Sequence, residues 1–470
     1  MKRMNALALV ALLSGTAGAQ MQMPLVVTNA ADAGEGTLRS ALVEAAKRDE
    51  NARVVIATDE DIVINDSLAY FGEAPLEIVG NGQVVRSAEN VDLLVVANGA
   101  DLAIRDLDFE GPGQFSILNR GDVEGQTAGK GIFVDVREDQ TGTVEVALDN
   151  VSVKGVANHG IHVSDCTLAD DCGGGAGGGG EGSPASIDVR LNNVSVDGVG
   201  NGKFDADGLR VDERDQGDIR LHVIGSEFAR VGADGLELDE GQAGSIHATT
   251  IRTAFIDNGA YCDPAMLEAY MPAQPEGEFD DGEVSESDIP GAVTGTPDDT
   301  CFEREVDRYD SGSIEAYEIG IDVDDGIDFD EADAGDLNLT MMESRIAGNY
   351  DEGVDMDEAG PGDGNLQYVN TTSYRNADDG FKMSEEDAGS VNGLMVASVS
   401  RDNGGKGAVF EEEGDGNVAV TARSTDTRDN DDSQQTGFEV VQEDAGTGQL
   451  TISDSRILDG IEAEGVTVNP

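Results

Sequence analysis

The strongest constraint on this chain is a phrase that returns every 27 residues. It reads DDGIDFDE, DEGVDMDE, DDGFKMSE and KGAVFEEE, with its glycine at Gly326, Gly353, Gly380 and Gly407. Two earlier copies, DGLRVDE from Asp207 and DGLELDE from Asp234, keep the same step. A fixed period of this size marks a solenoid, in which each repeat is one coil stacked on the next. Further columns follow it. A second glycine comes nine residues after the first, from Gly217 and Gly244 through Gly335, Gly362, Gly389 and Gly416 to Gly446. A hydroxyl column runs Ser226, Thr253, Ser344, Thr371, Ser398, Thr425. An asparagine column runs Asn349, Asn376, Asn403, Asn430, and stacked asparagines can bond to one another at a turn. Each coil divides into three short strands, such as GLRVD, DIRLHVIG and SEFARV.

Upstream, Leu25–Val27 reads as a strand, and Thr37 to Lys47 places Leu38, Ala41, Leu42 and Ala45 on one helical face. From Val54 onward the chain is a string of strands of four to eight residues bounded by Gly, Asn or Asp, with no crossover helices. The phrase VTNAADAGEGTLRSAL resembles the N-terminal entry of bacterial right-handed parallel β-helix proteins. The resemblance implies that the helix covers the open end of the first coil, which would otherwise expose core and sheet edge. The expected fold is therefore all-β: a right-handed parallel β-helix solenoid over residues 51–470 with an N-terminal cap at 20–50. Two insertions interrupt it, at about 166–183 and 261–311.

Asp and Glu number 95 against 29 Lys and Arg, a net charge of -66, and there is no Trp. Such a charge repels DNA, RNA and anionic membrane surfaces. Scarce Lys with excess acid also resembles salt-adapted proteins, so part of the charge serves solubility under that reading. Residues 1–19 read as a secretory signal: Lys2 and Arg3, an apolar centre, and Ala17-Gly18-Ala19 before Gln20. No apolar run is long enough to span a bilayer, so the expectation is a soluble protein, secreted or periplasmic. Four cysteines in an exported chain suggest two disulfides. Cys166 with Cys172 and Cys262 with Cys301 is the natural pairing, because each pair brackets one insertion; other pairings stay open.

The chemistry lies on the ladder formed by the repeated phrase. Its outward column reads Arg210, Glu237, Asp328, Asp355, Lys382, Val409. Beside it run Asp212, Asp239, Asp330, Asp357, Ser384, Glu411 and then Glu213, Glu240, Glu331, Glu358, Glu385, Glu412. Stacked coils lie about 4.8 Å apart, and like charges at that distance repel by about 1 kcal/mol even in water. Calcium–oxygen bonds are about 2.3–2.6 Å, so one Ca²⁺ between stacked carboxylates spans nearly one coil rise. The expected cation ligands are Asp234, Asp324, Asp325, Asp328, Asp330, Asp355, Asp357 and Asp379, with divalent cations as partners. The bland alternative is a solvated acidic face holding diffuse monovalent ions.

A second reading is enzymatic. DDGID (Asp324, Asp325, Asp328) with Asp234 on an earlier coil resembles the calcium site of pectate lyases of polysaccharide lyase family nine. The resemblance implies a polysaccharide substrate and a Brønsted base at the lysine of DDGFK, which is Lys382 here. Ser384, Glu385 and Glu386 follow it where family members carry glycines, and these acids should raise its pKa, the wrong direction for a base. NHGIHVSD, with His159 and His162, is faintly similar to the GHG of polygalacturonases, without the paired acids that precede it there.

Overall fold

The computed structural model describes residues 23–120, 129–166, 182–267, 276–291, 299–302, 304–309, 311–431, 435–443 and 445–469. The expected signal at 1–19 lies outside them. Many strands alternate buried and open positions, as in Ala52–Ile56 and Ile219–Ile224, so one side chain in two enters the core, whereas ladder strands such as Leu209–Asp215 are buried along nearly their whole length. The coils stack as parallel strands. One side of every coil joins a 12-stranded sheet, and the other two sides join a 22-stranded sheet. The register is that of the sequence columns: Leu209 pairs with Leu236, and Phe329 with Met356. The interior is one continuous row of Val, Ile, Leu and Phe, with Phe228 and Phe255 stacked 5.3 Å apart. The chain is an all-β parallel β-helix.

The cap forms as the sequence predicts. Its helix spans Leu38–Ala45, Thr37 caps it by accepting from Ser40 N, and Leu38, Ala41, Leu42 and Ala45 are buried. The asparagine column is a hydrogen-bonded ladder at the turn. Asn349 Nδ2 donates to Asn376 Oδ1 at 2.9 Å, Asn376 to Asn403 at 3.1 Å, and Asn403 to Asn430 at 2.9 Å. Asn258 adds a rung below, donating to Asn349 Oδ1 at 3.1 Å. The hydroxyl column links coils too: Thr371 Oγ1 donates to Met341 O and Ser398 Oγ to Tyr368 O. The second glycine column is set by close approach, since a Cβ on Gly362 would lie 1.5 Å from Gly335 O.

Among its described residues the long insertion carries regular structure. Cys262 and Cys301 are bonded, as expected. Glu276–Glu278, Ile314–Ile319 and Arg304–Arg308 form a small antiparallel sheet with Ile314–Ile319 in the middle. The excursion therefore returns to the solenoid only after Ile319, beyond the expected end near Ser311. Cys166 is also disulfide-bonded; Cys172, its expected partner, lies outside the described residues.

Candidate functional site

The ladder strands Leu209–Asp215, Leu236–Gln242, Asp328–Asp333 and Asp355–Ala359 pair in register. They bring Arg210, Glu237, Asp328 and Asp355 into one row, with Asp212, Asp239, Asp330 and Asp357 in the next. The alternative of a solvated acidic face does not describe this stretch. Arg210 and Glu237 are only 3% and 4% exposed, and Asp239 is fully buried. Loops fold over the row, carrying Asp205 and Asp324, and a satellite apolar cluster of Ile117, Tyr261, Leu267 and the Cys262–Cys301 bond knits loops together.

Charge is compensated at both ends of this row. At one end Arg210 reaches Asp212 Oδ1 at 2.7 Å and Glu237 Oε2 at 2.6 Å. Burial opposes the Asp212 charge, but Arg210 and His162 overcome it and hold that carboxyl far below its usual range. His162 Nε2 lies 2.7 Å from Asp212 Oδ2, and its Nδ1 lies 2.6 Å from Lys130 Nζ. Burial and the Lys130 ammonium push the His162 ring down to about 4, so it is neutral at pH 7 and donates from Nε2. His159 is fully enclosed beside it and accepts from Asp207 N at 2.9 Å. The two histidines are thus both buried, held by Asp207 N and by Asp212 and Lys130. At the other end Lys382 Nζ lies 2.7 Å from Asp355 Oδ2 and 3.5 Å from Glu352 Oε1. Burial works against its charge, but Asp355 and Glu352 outweigh burial and hold the ammonium far above the usual lysine range.

Between these ends the charge is uncompensated. Burial, then Glu352, Asp234 and Asp355, push Asp325 well above the carboxylate range. Burial, then Asp330, Asp234 and Asp355, do the same to Asp328. Oδ1 of Asp325 is buried without a hydrogen-bond partner. Four groups of three carboxylates bring one oxygen each within 4.8 Å of the others: Asp205–Asp207–Glu237, Glu237–Asp328–Asp330, Asp325–Glu352–Asp355 and Asp351–Glu352–Asp378.

Of the expected ligands, Asp325, Asp328, Asp330 and Asp355 fall in such groups. Asp234 instead accepts from Asp325 N through Oδ1 at 2.6 Å, and Asp379 Oδ1 accepts from Lys406 N. Their column caps the backbone of the next coil. Asp324 stands beside Asp234 and Asp205 at the turn, and Asp357 continues the ladder behind Asp330. The expected ligand set lacked Asp205, Asp207, Glu237, Asp351, Glu352 and Asp378. Glu352 had a signal, since it occupies the column of Asp325 one coil on; Asp205 lies off the repeat.

No family model matches the chain, and no curated protein does. Among solved structures, ORF18 of Geobacillus virus E2 matches at TM-score 0.42 and 9% identity, over 88% of this chain and 59% of that one. The chain thus spans less than two thirds of the viral protein. The periplasmic alginate epimerase AlgG matches at TM-score 0.35 and 9% identity, over 89% of this chain and 78% of its own. Pectate lyase Pel9A matches at TM-score 0.25 and 13% identity, over 73% and 69%. By its own strand register the chain is a parallel β-helix.

Proposed function

We propose that this protein is an exported, calcium-braced acidic solenoid, with Ca²⁺ held by Asp325, Glu352 and Asp355. One observation carries the reading: three carboxylates from two adjacent coils converge within 4.8 Å, one with a buried oxygen that nothing satisfies. The donor set is all oxygen and anionic, which suits a hard cation. Calcium–oxygen bonds of about 2.3–2.6 Å place opposing ligand oxygens at about this separation. A bound Ca²⁺ would supply positive charge beside Asp325, whose buried Oδ1 has no hydrogen-bond partner. It would tie successive coils together across the 27-residue repeat. Both groups already hold one cation, Arg210 on Glu237 and Lys382 on Asp355 and Glu352, so Asp325, with its unpartnered buried oxygen, is what favours this group. Calcium titration followed by calorimetry tests the reading: wild type binds, and Asp325→Asn does not. Equal binding by both would sink it.

A second reading, a calcium-dependent uronate lyase with Lys382 as base, draws on one feature. Lys382 stands at the edge of the cation group, 2.7 Å from Asp355. Without a metal its proton is held too tightly for base catalysis. Incubation with polyuronates and calcium, read by formation of an unsaturated product, separates the two. Product from wild type and none from Lys382→Ala favours the lyase; no product from wild type removes it.

A further inference from the structure

Behind the ladder row runs a second acidic column that the cation site does not use. Glu213, Glu240, Glu331, Glu358, Glu385 and Glu412 stand in register on successive coils, all at 0% exposure. Gln442 takes the next position. The backbone N–H of the glycine four residues on donates to Oε1 of Glu213, Glu358, Glu385 and Glu412 at 2.7–3.1 Å. Oε2 of Glu213, Glu358 and Glu385 is buried without a donor, and Glu240 and Glu331 have none on either oxygen. A carboxylate can only accept, whereas a carboxylic acid carries one donor. Two ionised rungs facing each other would leave every such oxygen unsatisfied. At the end of the column the sequence supplies the donor itself, because Gln442 Nε2 bonds Glu412 Oε2.

We propose that this column is a buried proton-binding site, a spine of glutamic acids in which the carboxyl O–H of one coil donates to the carboxyl of the next. A metal fits less well. Among the described residues no three oxygens of the column close to cation size. The charged groups facing it agree. Asp165 and Asp215 face Glu213, and Asp336 faces Glu331, all favouring the neutral form. Arg214 faces Glu240 but is engaged by Asp239 at 2.5 Å. Glu358 faces Glu331 and Glu385. Burial, then Asp165, pushes Glu213 up to about 9; burial, then Glu213, pushes Glu240 up to about 9.

Infrared spectroscopy of the whole protein at pH 7, with Glu240→Gln beside it, tests this. The expected result is a protonated-carboxyl C=O band in wild type that weakens in the variant. Thermal melts give a second readout. Glu240→Gln should match wild type at pH 5 and melt about 2–4 °C higher at pH 9.5, where wild type must lose or defend a proton. The exposed control Glu227→Gln should change neither. A wild type with no protonated-carboxyl band at pH 7 overturns the proposal, whether or not the variant folds. So does a variant that melts below wild type at both pH values.

Discussion

Lys382 sits where two demands meet: it neutralises Asp355 and Glu352, and it competes with any cation for the same oxygens. Lys382→Met should cost the metal-free protein about 1–3 kcal/mol, a range discounted because the lysine side chain is 28% exposed. The same change should tighten calcium binding by about tenfold or more, since one opposing unit charge is gone. Denaturant unfolding with chelator checks the first effect, and calorimetric titration the second. The sequence showed the lysine breaking the acidic column, and its partner Asp355 was readable one coil below. Arg210 was readable only as part of a column. Its hold on Asp212 and Glu237 follows the columns, but its reach to Asp205 depends on a loop that no periodicity encodes. The solvated-face alternative failed for the same reason. Alternation tells which side chains leave the core, not what folds over them afterwards.

At the level of the coil, the asparagine ladder is the clearest test. Asn376 donates to Asn403 and to Ser373 Oγ, and accepts from Asn349. Asn376→Ala leaves Asn349 N and Nδ2 without their acceptor, while Asn403 Oδ1 keeps the backbone N–H of residue 376, and should cost about 1–3 kcal/mol. Equilibrium urea unfolding measures it; a loss below about 0.5 kcal/mol would show that the rungs are satisfied some other way. Four rungs were plain at 27-residue spacing. Asn258 was hidden because the insertion separates it from Asn349 by 91 residues. The insertion's disulfide could be placed from its bracketing cysteines. Its small antiparallel sheet could not, because the strands are short and acidic and carry no alternation that marks a buried face.

The formal net charge of -66 counts every carboxyl as ionised, whereas buried ones such as Glu213, Glu240 and Glu358 hold their protons in the fold. Folded-state values are raised to about 9 for Glu213 and Glu240 and about 10 for Glu358, against about 4.3 in an unfolded chain. The folded form binds more protons, so this contribution is complete below about pH 4 and is lost as pH rises toward 9 to 10. Asp212 has the opposite sign, and its contribution is lost only in strong acid. The metal-free protein should therefore melt at higher temperature at pH 5 than at pH 9, and added salt should narrow the gap by screening surface repulsion. The most direct test of the calcium-braced ladder is thermal unfolding at pH 7 in chelator and in millimolar Ca²⁺, at matched ionic strength. The account predicts a melting temperature that climbs with calcium, by about 3 °C at a hundredfold excess over Kd, and a loss of that rise in Asp325→Asn. An unchanged melting temperature in wild type, or the same rise in the variant, would contradict it.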